Sequence, residues 1–259
     1  MFQGRGKDAY FYMKNIFTGR ESAGQLVMRN SDMSWIRSFI SVCCLLTITY
    51  QAQAGIVIGS TRVIYDGSKK EASLSVTNPE KDRPYLIQSW IDNLDASNTT
   101  KIPFIVTPPL FRLDAEQENT LRIVRAGGNL PQDRESVFWL SVKSIPATHK
   151  TDENQLQITV QSRIKLFYRP TGLLRNQAAN AYKSLQFKRK GNQLEVVNPT
   201  PYYVSFYELN VGKSEIKEAD MIAPKSSRSW PLPSGASGQI SWQAITDYGG
   251  ISAKETVSL

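Results

Sequence analysis

Leu156-Gln157-Ile158-Thr159-Val160-Gln161-Ser162-Arg163-Ile164-Lys165-Leu166-Phe167-Tyr168 is the stretch on which the fold turns. Leu156, Ile158 and Val160 alternate with polar residues, the period of a β-strand, so all three project from one face. Taken alone, such a face is expected to pack on the domain's own core. Lys165 stands an odd number of residues from Val160, so a regular strand aims it at the opposite face; a bulge would bring it back.

Upstream, the same short-period pattern recurs. Thr61–Tyr65, Glu71–Asn78, Tyr85–Asp92, Phe104–Thr107, Thr120–Arg125 and Val137–Ile145 each read as strands, and with Gln155–Tyr168 they make seven. Asp66-Gly67, Gly127-Gly128 and Pro108-Pro109 punctuate them, glycine by allowing unusual backbone angles and proline by withholding a ladder donor. Seven such strands suit one immunoglobulin-like β-sandwich. Downstream, Arg169-Pro170-Thr171-Gly172 breaks the pattern and reads as a hinge, which places a boundary near residue 172. A second set follows: Leu185–Arg189 and Leu194–Asn198 around Gly191-Asn192 as a hairpin, then Tyr202–Leu209, Arg228–Leu232, Ile240–Ile245 and Ala253–Leu259. The stretch from Ser226 to Gly238 is rich in Ser, Gly and Pro and reads as surface loop around one short strand. No helical period stands out. The expected organisation is all-β, two sandwiches over residues 55–172 and 173–259, and 259 residues suffice for two such cores.

The first 54 residues stand apart. Arg29 and Arg37 precede the apolar run Phe39–Tyr50, and Ala52-Gln53-Ala54 supplies small residues at a cleavage position, the three-part layout of a secretory signal over residues 28–54. The run is short for a membrane span. Residues 1–27 lack this character and read as an upstream extension, with Met1, Met28 and Met33 as candidate starts. Cleavage before Gly55 removes Cys43 and Cys44, the two cysteines of the chain. An exported protein without cysteine depends on core burial for stability and has no thiolate metal site. It also lowers the net charge from +8 to +5. Apart from Lys188-Arg189-Lys190, which suits a solvated hairpin end, the basic residues are scattered, and no nucleic-acid stripe is expected.

Catalytic chemistry finds little purchase. His149 is the one histidine of the chain and sits in polar loop sequence. No Gly-x-Ser-x-Gly elbow, phosphate loop or dinucleotide fingerprint occurs. Asp114 and Glu116 have nothing apolar around them to raise one pKa for acid catalysis. No enzyme, metal or cofactor is expected.

Leu130-Pro131-Gln132-Asp133-Arg134-Glu135-Ser136, with Phe138-Trp139 and Ile145-Pro146 after it, resembles the signature of the periplasmic pilus-assembly chaperones, the PapD-like family. Ile164-Lys165-Leu166-Phe167-Tyr168-Arg169-Pro170 resembles the family's second mark. Ser60-Thr61-Arg62-Val63-Ile64-Tyr65, Thr107-Pro108-Pro109, Asn198-Pro199-Thr200-Pro201-Tyr202-Tyr203 and Asp247-Tyr248-Gly249-Gly250 match further, in order. One departure is Ser141, where the family signature usually carries asparagine.

The resemblance implies two immunoglobulin-like domains set at an angle with a cleft between them, working in the periplasm without being membrane-embedded. It implies donor-strand complementation, a form of β-strand addition in which the chaperone lends its strand to an incomplete pilus subunit and then passes the subunit to an outer-membrane usher. Leu156, Ile158 and Val160 would fill the subunit's groove. Arg62 and Lys165 would bind the subunit's C-terminal carboxylate. Glu135, Arg169 and Asp247 would form a salt-bridge set between the domains. The lack of cysteine and the short stretch between Pro146 and Gln155 resemble the short-loop branch, which usually serves rod-like pili. The alternative reading is a pilus subunit or adhesin, whose family carries a cysteine pair and an alternating N-terminal extension; Gly55-Ile56-Val57-Ile58-Gly59 offers neither. A carbohydrate-binding sandwich would want clustered exposed aromatics or acidic calcium loops.

Overall fold

The computed structural model describes residues 55–148 and 156–258. The expected signal segment with Cys43 and Cys44, the extension before it, and His149 lie outside the described residues.

Two β-sandwiches follow one another. In the first, β1 (Val57–Ile58), β3 (Glu71–Thr77), β7 (Glu118–Arg125) and β5 (Phe104–Thr107) form one sheet in that order. The facing sheet runs β2 (Arg62–Asp66), β9 (Val160–Arg169), β8 (Ser136–Pro146), β4 (Tyr85–Asn93) and β6 (Leu110–Leu113). Ile87, Leu121, Ile123, Leu140 and Leu166 lie between them without solvent exposure. Tyr65, Phe104, Phe138 and Tyr168 pack as tilted and edge-on rings, with centroids 5.2 to 6.0 Å apart.

The second sandwich sets β10 (Gln186–Lys190), β11 (Gln193–Asn198) and β15 (Ser226–Pro231) against β13 (Ser214–Glu215), β12 (Val204–Val211), β16 (Ile240–Ala244) and β17 (Glu255–Val257), with β14 (Met221–Ile222) beside β12. Leu194, Val196, Leu209, Val211 and Ile240 fill its core, and the Trp242 indole N–H donates to the Tyr182 carbonyl at 3.0 Å. The two-residue loop Gly191-Asn192 joins β10 to β11 as the sequence suggests; Gly191 has φ +59°, the glycine-first geometry of a type II′ hairpin. The basic triplet Lys188-Arg189-Lys190 is exposed on β10, and Lys190 pairs with Glu195 at 2.7 Å. A smaller apolar cluster seats one sandwich on the other: Val137 and Phe167 of the first meet Met221 of the second, flanked by Ile64 and Tyr203.

Between β1 and β2 the chain changes sheets, from an antiparallel pairing with β3 to a parallel one with β9. Gly59 makes the crossing, its N–H bonded to the Ser75 carbonyl at 3.0 Å, and a Cβ there would collide with the Ser75 side chain.

Some elements escape the sequence pattern. Strands β1, β6, β13 and β14 are two to four residues long, too short to display a period. A helix, α1 (Arg175–Asn180), and a 3₁₀ turn over Ala181–Ser184 follow the hinge; α1 buries no residue, so it carries no apolar stripe to be read. The seventh expected strand begins at Val160, later than the alternation suggests. Ser144 faces Val160, and continuing that register puts Pro146, the last residue of β8, opposite Ile158. Proline has no N–H for the ladder, so pairing stops there. The Gln157 side chain instead donates to the Pro146 carbonyl at 3.0 Å.

Candidate functional site

Strand β9 carries nearly everything of interest, and its register with β8 runs from Ser144↔Val160 to Ser136↔Tyr168 without a shift. No bulge intervenes, so the period of two sorts the side chains. Ile164, Leu166 and Tyr168 face the first core; Lys165, Phe167 and Arg169 face the other way. Val160 belongs by parity to the core-facing set.

The parallel pairing of β2 with β9 matches Arg62 to Lys165. Two cations distant in sequence thus stand side by side on the outward face. Arg62 donates from Nη1 to the Ile245 carbonyl at 3.3 Å and lies 5.6 Å from the Phe167 ring centroid. Its Nε is buried and has no hydrogen-bond partner among the described residues. Burial pulls its pKa below the ordinary arginine value, against the opposing fields of Asp247 and Glu135. Arginine nevertheless keeps its proton at neutral pH, so a partly dehydrated charge with a spare donor remains. Arg62, Phe167, Arg169, Tyr203, Ile245 and Asp247 contribute to a pocket between the sandwiches with about 40 Å³ of free volume. That is room for a carboxylate-sized group, well below the hundreds of cubic ångströms of a typical small-molecule site.

Lys165 stands over the Trp139 ring at 5.7 Å and makes an ion pair with Asp220. Asp220 comes from the second sandwich, and nothing in the sequence pattern pairs it with a lysine 55 positions earlier.

Glu135, Arg169 and Asp247 come together. The Arg169 guanidinium donates from Nε to Glu135 Oε1 at 2.7 Å and grips Asp247 through both Nη atoms at 2.7 and 2.9 Å. The other Glu135 oxygen accepts the Tyr203 backbone N–H at 2.8 Å. Burial opposes the charge on Arg169, but its bonds to Asp247 and Glu135 outweigh that and hold its pKa above the ordinary value. Glu135 carries the larger dehydration penalty, which raises its carboxyl pKa although Arg169 and the Tyr203 amide pull it down. One cation thus serves two carboxylates, one from each sandwich. Farther out, Asp133 takes a hydrogen bond from Lys225 of the second sandwich at 2.7 Å and one from Arg134 at 3.1 Å, and these depress its pKa to about 2.

At the other end of β9 the outcome departs from the plain expectation of a core face. Leu156, Ile158 and Val160 are 88, 67 and 57% exposed. Ile158 and Val160 sit beside an open notch lined by Ile56, Ile58, Tyr85 and Val142, and Leu156 lines a neighbouring hollow with Tyr85 and Pro146. Strand β2 covers β9 only from Lys165 to Arg169, so Val160–Ile164 has β8 on one side and, among the described residues, no strand on the other. Unpaired backbone groups and an alternating apolar row therefore share one edge, which strands ordinarily avoid. Ser141, the departure from the family signature, is a fully buried β8 residue whose hydroxyl reaches Asp92 at 3.3 Å.

Among the described residues no cluster of three His, Cys, Asp or Glu could hold a metal, and no helix is long and apolar enough to cross a membrane.

Residues 55–174 match the pili and flagellar-assembly chaperone family, PapD N-terminal domain, and residues 180–256 match the pili assembly chaperone PapD, C-terminal domain. The probable fimbrial chaperone LpfB of Escherichia coli O157:H7 is 47% identical, over 82% of this chain and 92% of that protein. The chaperone protein FimC of Escherichia coli K12 is 44% identical, over 88% of this chain and 98% of that protein. Among solved structures, the E. coli chaperone DraB superposes with a TM-score of 0.70 at 42% identity, covering 79% of this chain and 98% of DraB. The Salmonella enterica SafB chaperone, solved in complex with the SafA pilin, gives 0.71 at 36% identity, covering 81% and 98%.

Proposed function

The chain belongs to the PapD family of pilus-assembly chaperones, and we propose that it caps pilus subunits in the periplasm by lending them the open edge of β9, with Arg62 and Lys165 holding the subunit's C-terminal carboxylate. One observation carries this reading: the exposed row Leu156, Ile158, Val160 leads into and opens β9, the strand that carries Lys165 beside Arg62 of β2, at an edge that among the described residues is unpaired from Val160 to Ile164. Val160 and Lys165 are five positions apart, about 17 Å along a strand. A subunit strand whose carboxylate is fixed at one end is therefore held in a single register against the apolar row. Main-chain bonds along the edge supply affinity that does not depend on sequence, and alternate side chains fill the subunit's groove. Each such side chain is worth about 1.5 to 3 kcal/mol when fully buried. Each charge-assisted bond to the carboxylate adds about 1.5 to 3 kcal/mol.

The Glu135–Arg169–Asp247 network and the Val137–Phe167–Met221 contact hold the two sandwiches so that the cleft keeps its shape; they position the cations and touch no subunit. In this reading the chain performs no covalent chemistry, and the capped subunit is delivered to an outer-membrane usher. A pilus-subunit or adhesin role is not favoured, because relatives matching most of the chain are named chaperones.

Co-expression with a pilus subunit in the periplasm tests the anchor. The wild-type chain is expected to co-purify one-to-one with the subunit, and Arg62→Glu or Lys165→Glu to lose it while the chaperone itself stays folded by circular dichroism. Equal subunit recovery with both variants would sink the anchor.

A further inference from the structure

We infer that Asp220 is a built-in stand-in for the subunit's carboxylate: it occupies Lys165 in the free chain and gives way when a strand arrives. The inference rests on the carboxylate-anchor reading of Arg62 and Lys165. Its own basis is separate. Lys165 is nearly buried, with 13% of its side chain exposed, and it stands next to Arg62 in the β2–β9 register. Two adjacent cations with little water are costly without an anion. Among the described residues Arg62 has anions only at a distance, Asp247 and Glu135, both of which are bonded to Arg169. Lys165 gets a direct partner, and that partner comes from the other sandwich.

The way Asp220 is held suits an exchangeable ligand. Its side chain is 54% exposed, so rotating it into water costs little dehydration. Its backbone is fixed: the carbonyl accepts the Phe206 N–H at 2.8 Å, φ is +45°, and the next residue, Met221, sits in the apolar contact between the sandwiches. Aspartate tolerates this left-handed conformation better than most residues. A fixed backbone and a free-swinging carboxylate place the same chemical group that the anchor is built to receive within reach of the anchor's lysine.

Two consequences follow. An incoming carboxylate must replace another carboxylate, so weak anions are excluded and affinity is reduced by the strength of the resident pair. When the subunit strand leaves, Asp220 returns, and release does not strand a bare ammonium in the cleft.

Calorimetric titration separates this role from a structural one. The probe is a synthetic peptide alternating valine and threonine, solubilised by N-terminal lysines and made with either a free α-carboxylate or a C-terminal amide. The wild-type chain is expected to prefer the carboxylate form. Asp220→Asn is expected to raise that preference about fivefold, the scale of a half-exposed ion pair, by tightening the carboxylate form and leaving the amide unchanged. In Lys165→Ala, adding Asp220→Asn should change nothing. If the wild type prefers the carboxylate and Asp220→Asn leaves the preference as it was, the stand-in is wrong and the anchor stands. If Asp220→Asn shifts both peptides equally, Asp220 is a strut between the sandwiches and the inference fails. A wild type that does not distinguish the two forms overturns the anchor and the inference together.

Discussion

Arg169 shows how much of this molecule is decided by single side chains. It is 7% exposed, Glu135 is 2% exposed, and both are charged. Removing one member of such a set leaves an uncompensated buried charge, so Arg169→Ala is expected to cost about 3–5 kcal/mol in chemical denaturation. A smaller loss would mean that water enters the site. Asp133 works at the surface and its contribution depends on pH. Its folded pKa is depressed to about 2, first by Lys225 and then by Arg134. The stabilisation is therefore full above the ordinary aspartate value near pH 4 and is lost as pH falls toward 2. NMR titration of the Asp133 carboxyl should give a midpoint about 2, and Lys225→Ala should move it upward; an unmoved midpoint would mean that the bridge to the second sandwich does not form. None of these partnerships can be read from spacing. Arg62 and Lys165 are distant in the chain, and only the parallel register of β2 on β9 makes them neighbours; family likeness suggested the pair, and the topology explains why it meets. Asp220 had no such guide.

Strand β9 is one element with two environments. Its C-terminal half is buried between β2 and β8, and its N-terminal half, among the described residues, is an open edge led into by the exposed Leu156 and Ile158 and opened by the exposed Val160. The alternation of Leu156, Ile158 and Val160 suggested a strand from Gln155, but the strand begins at Val160, and the exposure of the three was not legible. Parity says which side a residue faces and says nothing about whether the opposite sheet still extends beneath it. The same limit hid α1 and the two-residue strands, whose burial is set by neighbours and not by their own pattern. Because the row is largely exposed, replacing Leu156, Ile158 and Val160 together with serine is expected to leave thermal stability within about 0.5 kcal/mol. The same variant should abolish subunit capture. A marked loss of stability would place the row in the chaperone's own core and remove the basis for the donor role.

At the scale of the whole molecule, two sandwiches, each with its own core, meet through a small apolar contact, the Arg169 network and two outlying ion pairs. The two-sandwich organisation was readable from strand runs and turn residues, since each core needs its alternation repeated along the chain. How the sandwiches face each other was not, because it depends on side-chain meetings between distant segments. What the arrangement achieves is alignment: the open edge of β9 runs toward its own Lys165, which the β2 register sets beside Arg62. Amide hydrogen exchange along that strand reads this out. In the free chain, those amides between Leu156 and Ile164 that point away from β8 should exchange fast, and in a one-to-one complex with a pilus subunit every second amide of the stretch should become protected. Unchanged exchange across Leu156–Ile164 in a purified complex would contradict strand lending and place the subunit elsewhere on the chaperone.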